Sequence, residues 1–212
     1  MRRMLQAAAL VLAAGSGSRF DQDRPAAKLL ADLHGQALLA HVLDAVREFG
    51  PLATVVVLGH GAAEIEPAMR WMGEIRVVNR HPGRGLASSL QVGIRALVAH
   101  PESFDGAFIV LGDQPHLRPE TMHALVDAAA RARPADRPIV APRYTAQPGP
   151  RNPVLLLRPA WTLVDELVGD HGLASLIEQR EDMVLSVPVQ GAMPDVDTPA
   201  DLEQLRSRDS SP

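Results

Sequence analysis

LVLAAGSGSRFDQDRPAAKLL, residues 10–30, decides how the rest of the chain reads. An apolar run breaks into glycine and serine, passes Arg19 and ends at Lys28, the only lysine; the other basic residues of the 21 are arginines. A glycine-rich turn directly after a buried strand is the usual phosphate site of an α/β sheet, because its backbone N–H groups can face an anion. Two named versions of that turn fail on particular residues. A P-loop ends in Gly-Lys-Ser/Thr, and no Gly-Lys pair exists in the chain. The dinucleotide fingerprint needs a third glycine where Phe20 stands, and an acidic residue after the second strand, where VVVLGHG has none. What remains is an arginine and a lysine flanking a Gly/Ser loop. That pairing suits a triphosphate whose negative charge grows as pyrophosphate departs.

Further apolar runs follow the first: ATVVVL (53–58), IRVV (75–78), GAFIVLG (106–112), RPIVAP (137–142), VLLL (154–157) and MVLSVPV (183–189). The leading ones are continuous rather than alternating, as strands covered on both faces are. Amphipathic stretches at 37–50, 85–100 and 119–133 separate them, with shorter helical pieces expected at 160–168 and 172–180. Gly50 reads as a C-cap, Pro119 and Glu120 as a first turn, and Thr198 as the cap of a helix starting at Pro199. Alternation of strand and helix predicts one α/β domain, Rossmann-like, on a mainly parallel doubly wound sheet. The domain is expected over residues 1–207, with a frayed tail at 208–212.

Composition narrows the function. With 212 residues, 46% hydrophobic, 22% charged and a net charge of −4, the chain has ordinary globular usage and no basic block for nucleic acid. No cysteine is present, which excludes disulfides, thiolate metal sites and a Cys nucleophile. Residues 1–14 resemble a signal peptide only briefly, since Gln6 interrupts them and they run into the glycine loop. No apolar run reaches the roughly 18 residues that span a bilayer. A cytoplasmic protein with neither nucleic-acid nor membrane partners is expected.

Three more segments carry candidate chemistry. In VLGDQP (110–115), Asp113 follows a buried strand where open sheets bind ligands, placed to hold Mg²⁺ on a triphosphate or, more plainly, to cap a turn. In PDVDTP (194–199), Asp195 and Asp197 lie two apart on one extended face; one can complete a metal site, or both can serve as turn and cap. In NRHPGRGLASSLQVG (79–93), Asn79, Gly85, Ser88 and Ser89 surround a helix start whose hydroxyls and amides can bind nucleotide or simply cap the helix. The eight histidines are scattered, with no metal-ligand spacing.

Taken in order, LAAGSGSRF…K, N…G…SS…G, GDQP and DVDTPADL resemble the MobA-like nucleotidyltransferases, and within them the MocA-type molybdenum cofactor cytidylyltransferases, over about residues 8–205. The resemblance implies a domain that joins a nucleoside monophosphate to a phosphorylated acceptor and releases pyrophosphate. By the same carry-over Gly15, Ser16, Gly17, Ser18, Arg19 and Lys28 hold the triphosphate. The backbone of Leu12, Ala13 and Ala14 contacts the base. Asp113 and Asp197 bind Mg²⁺, or Mn²⁺ in its place, with Asp197 ranked ahead of Asp195; Arg19, Lys28 and Asp113 form the catalytic set. Ala14 and Gln114 match the CTP-using branch rather than the guanylyl branch, so the expected partners are CTP or GTP and a molybdopterin-type acceptor, with a molybdoenzyme or its maturation chaperone downstream. Phe20, the insert DQDRPAA and Arg151-Asn152-Pro153 depart from the family pattern, the last near the expected acceptor position. A MobA-type guanylyltransferase, a nucleotidyltransferase with another acceptor, a nucleotide- or flavin-dependent oxidoreductase and a non-catalytic nucleotide sensor are the competing readings.

Overall fold

The computed structural model describes residues 5–132, 136–146, 152–170 and 172–209. Its chain order is β1 (Ala7–Ala13), α1 (Ala27–Leu30), β2 (Asp32–Leu33), β3 (Gln36–Ala37), α2 (Leu38–Phe49), β4 (Thr54–Leu58), α3 (Ala62–Ala68), β5 (Ile75–Val78), α4 (Leu86–Val98), β6 (Gly106–Leu111), α5 (Pro119–Arg131), β7 (Ile139–Tyr144), β8 (Val154–Leu157), α6 (Leu173–Gln179), β9 (Val184–Val189) and α7 (Pro199–Asp209). Seven strands form one sheet in the order β5-β4-β1-β6-β8-β7-β9, and β2 and β3 form a separate two-stranded ribbon. Every pairing in the large sheet is parallel except those of β8, which runs antiparallel to both β6 and β7.

β1 is the axis of the molecule. All seven of its residues are buried, and it is paired on both edges, to β4 and β6. Because side chains alternate across a strand, Ala7, Ala9, Val11 and Ala13 enter the core under α2 and α5. Ala8, Leu10 and Leu12 enter the opposite core under α4, residues 158–166 and α6. A continuous apolar run is what a strand covered on both faces requires. The helices present matching stripes: Leu39, Val42, Leu43 and Val46 of α2 are fully buried, and α2 stops at Gly50, whose φ of 74° closes an N–H bond to the Val46 carbonyl at 3.2 Å.

A third, small apolar cluster joins distant segments. Phe20 and Ala31 pack on Leu33, Leu38, Val196, Leu202 and Leu205. It anchors the loop after β1 and the segment before α7 to one another, beside the carboxyl ends of the strands.

Several sequence expectations are corrected. The helical piece expected at 160–168 is a 3₁₀ helix over residues 158–166; Pro159 removes a donor there. α7 carries residues 208 and 209, which were assigned to the tail, while 210–212 lie outside the described residues. So do residues 1–4, 133–135, 147–151, including Arg151, and His171. α1, α3 and the β2–β3 ribbon were not anticipated, being too short to show a period. Among the described residues no helix is long and apolar enough to cross a membrane.

Candidate active site

A cleft of about 600 Å³ opens at the carboxyl ends of β1, β4 and β6. Its floor and one wall are the loop after β1. Gly17 turns that loop with a φ of +60°, and its carbonyl accepts the amides of Phe20 and Asp21 at 2.8 and 3.0 Å. Asp21 then caps the insert by accepting the amides of Asp23 and Arg24. The insert therefore folds as a compact turn that delivers α1, and α1 delivers Lys28.

Lys28 is the centre of the site. Its Nζ lies 2.6 Å from Asp113 Oδ2 and 3.2 Å from Asp197 Oδ1, and its side chain is only 12% exposed. Burial opposes the charge, but the two carboxylates outweigh it and hold the ammonium above its ordinary pKa, so it stays protonated at neutral pH. Arg19 Nη2 reaches the other oxygen of Asp197 at 3.0 Å while remaining largely in solvent. The two cations thus engage different oxygens of one aspartate, one buried and one exposed.

The carboxylates are placed by their own segments. Asp113 follows β6, and its carbonyl accepts the amide of Val196 at 3.1 Å, locking GDQP to PDVDTP. Val196 is wholly buried in the small cluster, so Asp195 and Asp197 are set on the other side of the chain. Thr198 and Asp201 form a capping box: Asp201 N donates to Thr198 Oγ1, and Asp201 Oδ2 accepts Thr198 N, Thr198 Oγ1 and Asp197 N. The Thr198 hydroxyl first, then these amides, hold the Asp201 carboxyl below its ordinary pKa. Burial pushes Asp195 the other way, helped by the neighbouring Asp113 and Asp197 charges, although Gln114 Nε2 donates a hydrogen bond to Asp195 Oδ1.

Of the residues singled out from sequence, Leu12, Ala14, Gly15, Ser16, Gly17, Ser18, Arg19, Lys28, Gly85, Ser89, Asp113 and Asp197 all line this cleft. Ala13, Asn79 and Ser88 do not. Ala13 is core. Asn79 is buried and spends its side chain inside the protein, donating to Ser88 Oγ at 2.8 Å and Ser89 Oγ at 3.0 Å and accepting His81 N at 2.9 Å. Ser88 in turn donates to the Gly85 carbonyl at 2.8 Å. These groups shape the 79–89 turn from behind. The amides at the start of α4 are partly taken as well, Ala87 N by the Gly169 carbonyl and Ser88 N by that of Gly85. Gly85 is obligatory: its φ is +86°, and a Cβ there would come within 2.2 Å of Gly169. Gln114 is 1% exposed and acts through Asp195 rather than on the cleft.

Sequence reasoning missed His60, Pro82, Gly83, Leu86, Leu111 and Asp170 as lining residues. His60 sits in LGHG, between two glycines after β4, a signal comparable to the first loop. Asp170 has no local motif; it arrives because Gly169, whose carbonyl accepts the Ala87 amide, lies against the start of α4.

Among the described residues no three Asp, Glu, His or Cys side chains converge as a metal cage. The donor set nevertheless fits Mg²⁺ or Mn²⁺, which bind through one or two carboxylates plus substrate phosphates rather than an all-protein cage. Asp113 and Asp197 aim oxygens at one cation, the lysine, and Asp113 Oδ1 is buried without a hydrogen-bond partner.

The MobA-like NTP transferase domain model matches residues 9–184. The fold of Rv0371c from Mycobacterium tuberculosis superposes with a TM-score of 0.81 at 30% identity, covering 95% of this chain and 98% of that one. The same protein solved as a complex with manganese gives 0.76 at 27% identity over the same shares. The bifunctional protein GlmU of Paracidovorax citrulli is 40% identical over 123 residues, 56% of this chain and 24% of GlmU. The chain therefore spans about a quarter of that relative's length.

Proposed function

Because the chain belongs to the MobA-like NTP transferase family, we propose that its cleft transfers CMP from CTP to a phosphorylated acceptor of molybdopterin type, releasing pyrophosphate. The observation that carries this reading is Lys28, held by Asp113 and Asp197 beside the Gly15–Arg19 loop.

An acceptor phosphate oxygen attacks the α-phosphorus of CTP. The new P–O bond forms as the bond to the bridging oxygen breaks, and pyrophosphate leaves with that electron pair. Two anions must approach, so the protein's task is positional and electrostatic. Amides of the Gly15–Ser18 loop face the phosphates, and Arg19, exposed on a movable stem, follows the charge of the leaving group. Lys28 supplies a compact ammonium between the two carboxylates, and Asp113 and Asp197 would hold the divalent cation. When bound, Mg²⁺ or Mn²⁺ would neutralise phosphate oxygens. Manganese in the related Rv0371c crystal supports that assignment. Ala14 on the cleft wall supports CTP over GTP.

The test is pyrophosphate release with CTP, GTP, ATP and UTP, with and without molybdopterin-type acceptor, in Mg²⁺ and in Mn²⁺. Release that requires the acceptor and prefers CTP is expected. Preference for GTP would move the protein to the guanylyl branch, and no release with any nucleotide would remove the reading. Asp113→Asn should lower kcat at least 100-fold with an unchanged melting profile. Near wild-type turnover in that variant would take Asp113 out of its role.

A further inference from the structure

Asp113 and Asp197 face two claims at once. In the transferase reading they hold the divalent cation, yet three of their four oxygens already meet side-chain cations. Asp113 Oδ2 and Asp197 Oδ1 lie 2.6 and 3.2 Å from the Lys28 ammonium, and Asp197 Oδ2 lies 3.0 Å from Arg19 Nη2. The fourth, Asp113 Oδ1, is buried and has no hydrogen-bond partner among the described residues. Mg²⁺ takes carboxylate oxygens at about 2.1 Å. An ion drawing one oxygen from each aspartate on the Lys28 side would stand against the ammonium, and two cations that close, with little water between them, repel strongly. The lysine has little room to step aside, since its side chain is nearly enclosed. One direction leads into the cleft. Its stem starts against the loop after β1, with Cβ 3.6 Å from where a Cβ on Gly17 would stand. The loop, the lysine and both aspartates line the same cleft.

Resting on the transferase reading, we propose that Lys28 holds the place of the divalent cation until the nucleotide arrives. Ammonium and metal exclude one another on Asp113 and Asp197. A triphosphate on the Gly15–Arg19 loop admits the metal by drawing the ammonium onto its own oxygens. The exchange is balanced: the ammonium trades carboxylate oxygens for phosphate oxygens, and the aspartates trade a single positive charge for a double one. A bare ion must instead expel the ammonium with no anion to receive it. Nucleotide and metal are therefore positively coupled, each tightening the other by the same factor. A lysine suits this exchange better than an arginine, because a compact ammonium on a flexible stem can be re-aimed without a planar, two-pronged partner.

The lone lysine makes the exchange observable. Because Lys28 is the only lysine, protein labelled with ¹³C at the lysine ε-carbon gives one ε-methylene NMR signal, from this side chain alone. In wild type, CTP in EDTA should move that signal, and Mg²⁺ without nucleotide should leave it in place. Mn²⁺ binding, counted by electron paramagnetic resonance without nucleotide, should be tighter in Lys28→Met than in wild type by about tenfold or more. Lys28→Gln should behave as Lys28→Met does, and adding Asp113→Asn to Lys28→Met should remove the gain, which locates the ion. The proposal falls if wild type binds Mn²⁺ as tightly as the neutral variants, if those variants bind it more weakly, if Mg²⁺ alone moves the lysine signal, or if CTP in EDTA leaves it fixed. Should neither neutral variant fold, the wild-type signal decides. These measurements need no turnover. Exchange at Lys28 in a protein that releases no pyrophosphate keeps the placeholder and removes the transferase reading; release by a protein whose neutral variants gain no Mn²⁺ affinity does the reverse.

Discussion

Gly17 shows how much of the site hangs on one backbone angle. Its φ is +60°, and a Cβ would stand 3.0 Å from the Pro25 carbonyl and 3.6 Å from Lys28 Cβ. Gly17→Ala should cost about 1–2 kcal/mol through the left-handed conformation alone, measured by urea denaturation, and should raise KM for the nucleotide because α1 is displaced. Lys28 makes the complementary case. The pocket that holds its ammonium is lined by two carboxylates within 3.2 Å of one nitrogen, a space for a point charge rather than a planar fork. Lys28→Arg should lower kcat/KM by about 10–100-fold, roughly 1.4–2.7 kcal/mol of transition-state stabilisation, with little change in melting temperature. Full activity would make the single lysine incidental. At this scale the sequence was informative: a lone lysine, a Gly/Ser loop and two acidic motifs converge in space. Asn79 and Ser88 stand in the sequence as nucleotide ligands or helix caps alike, because polarity near a helix start is visible in sequence whereas the direction of a side chain is not.

At the scale of elements, α7 is a lever for the second carboxylate. Its capping box uses the amide of Asp197 as well as both donors of Thr198, so the cap that starts the helix also fixes the residue gripping Lys28 and Arg19. Thr198→Ala should destabilise by about 1 kcal/mol and lower metal-dependent turnover disproportionately; Thr198→Ser should restore both. Equal small effects on stability and rate would mean that the cap is merely structural. The strands were legible because they are long apolar runs, and the cap because Thr-Pro-x-Asp is local chemistry. The antiparallel course of β8 was not legible. VLLL reads the same in either direction, and only pairing with β6 and β7 decides it.

Across the whole molecule, one buried ion pair steadies the β5 edge of the sheet. Glu74, nearly inaccessible, accepts Arg47 Nε at 2.7 Å and the Met72 amide at 2.6 Å, while Arg47 also reaches Asp44 and the Arg70 carbonyl. Burial would raise the Glu74 pKa, but the backbone amides and Arg47 hold it below the ordinary value. Its contribution is therefore complete above the unfolded pKa of about 4.3 and is lost as pH falls through the lower folded value. Glu74→Ala should cost about 3 kcal/mol at pH 7, since it leaves Arg47 without its buried partner. The gap from wild type in denaturant should shrink at pH 3; a gap independent of pH would sink this account.

The clamp on Lys28 also has a date in the life of the chain. Its partners lie 85 and 169 residues further along, the second beyond the last strand of the sheet. During synthesis the whole sheet can form while the lysine still has one carboxylate, and the small cluster under Phe20 lacks Val196, Leu202 and Leu205. The site therefore joins segments from opposite ends of the described chain: the loop after β1 delivers the lysine, and its charge balance is complete only with α7 docked on the small cluster.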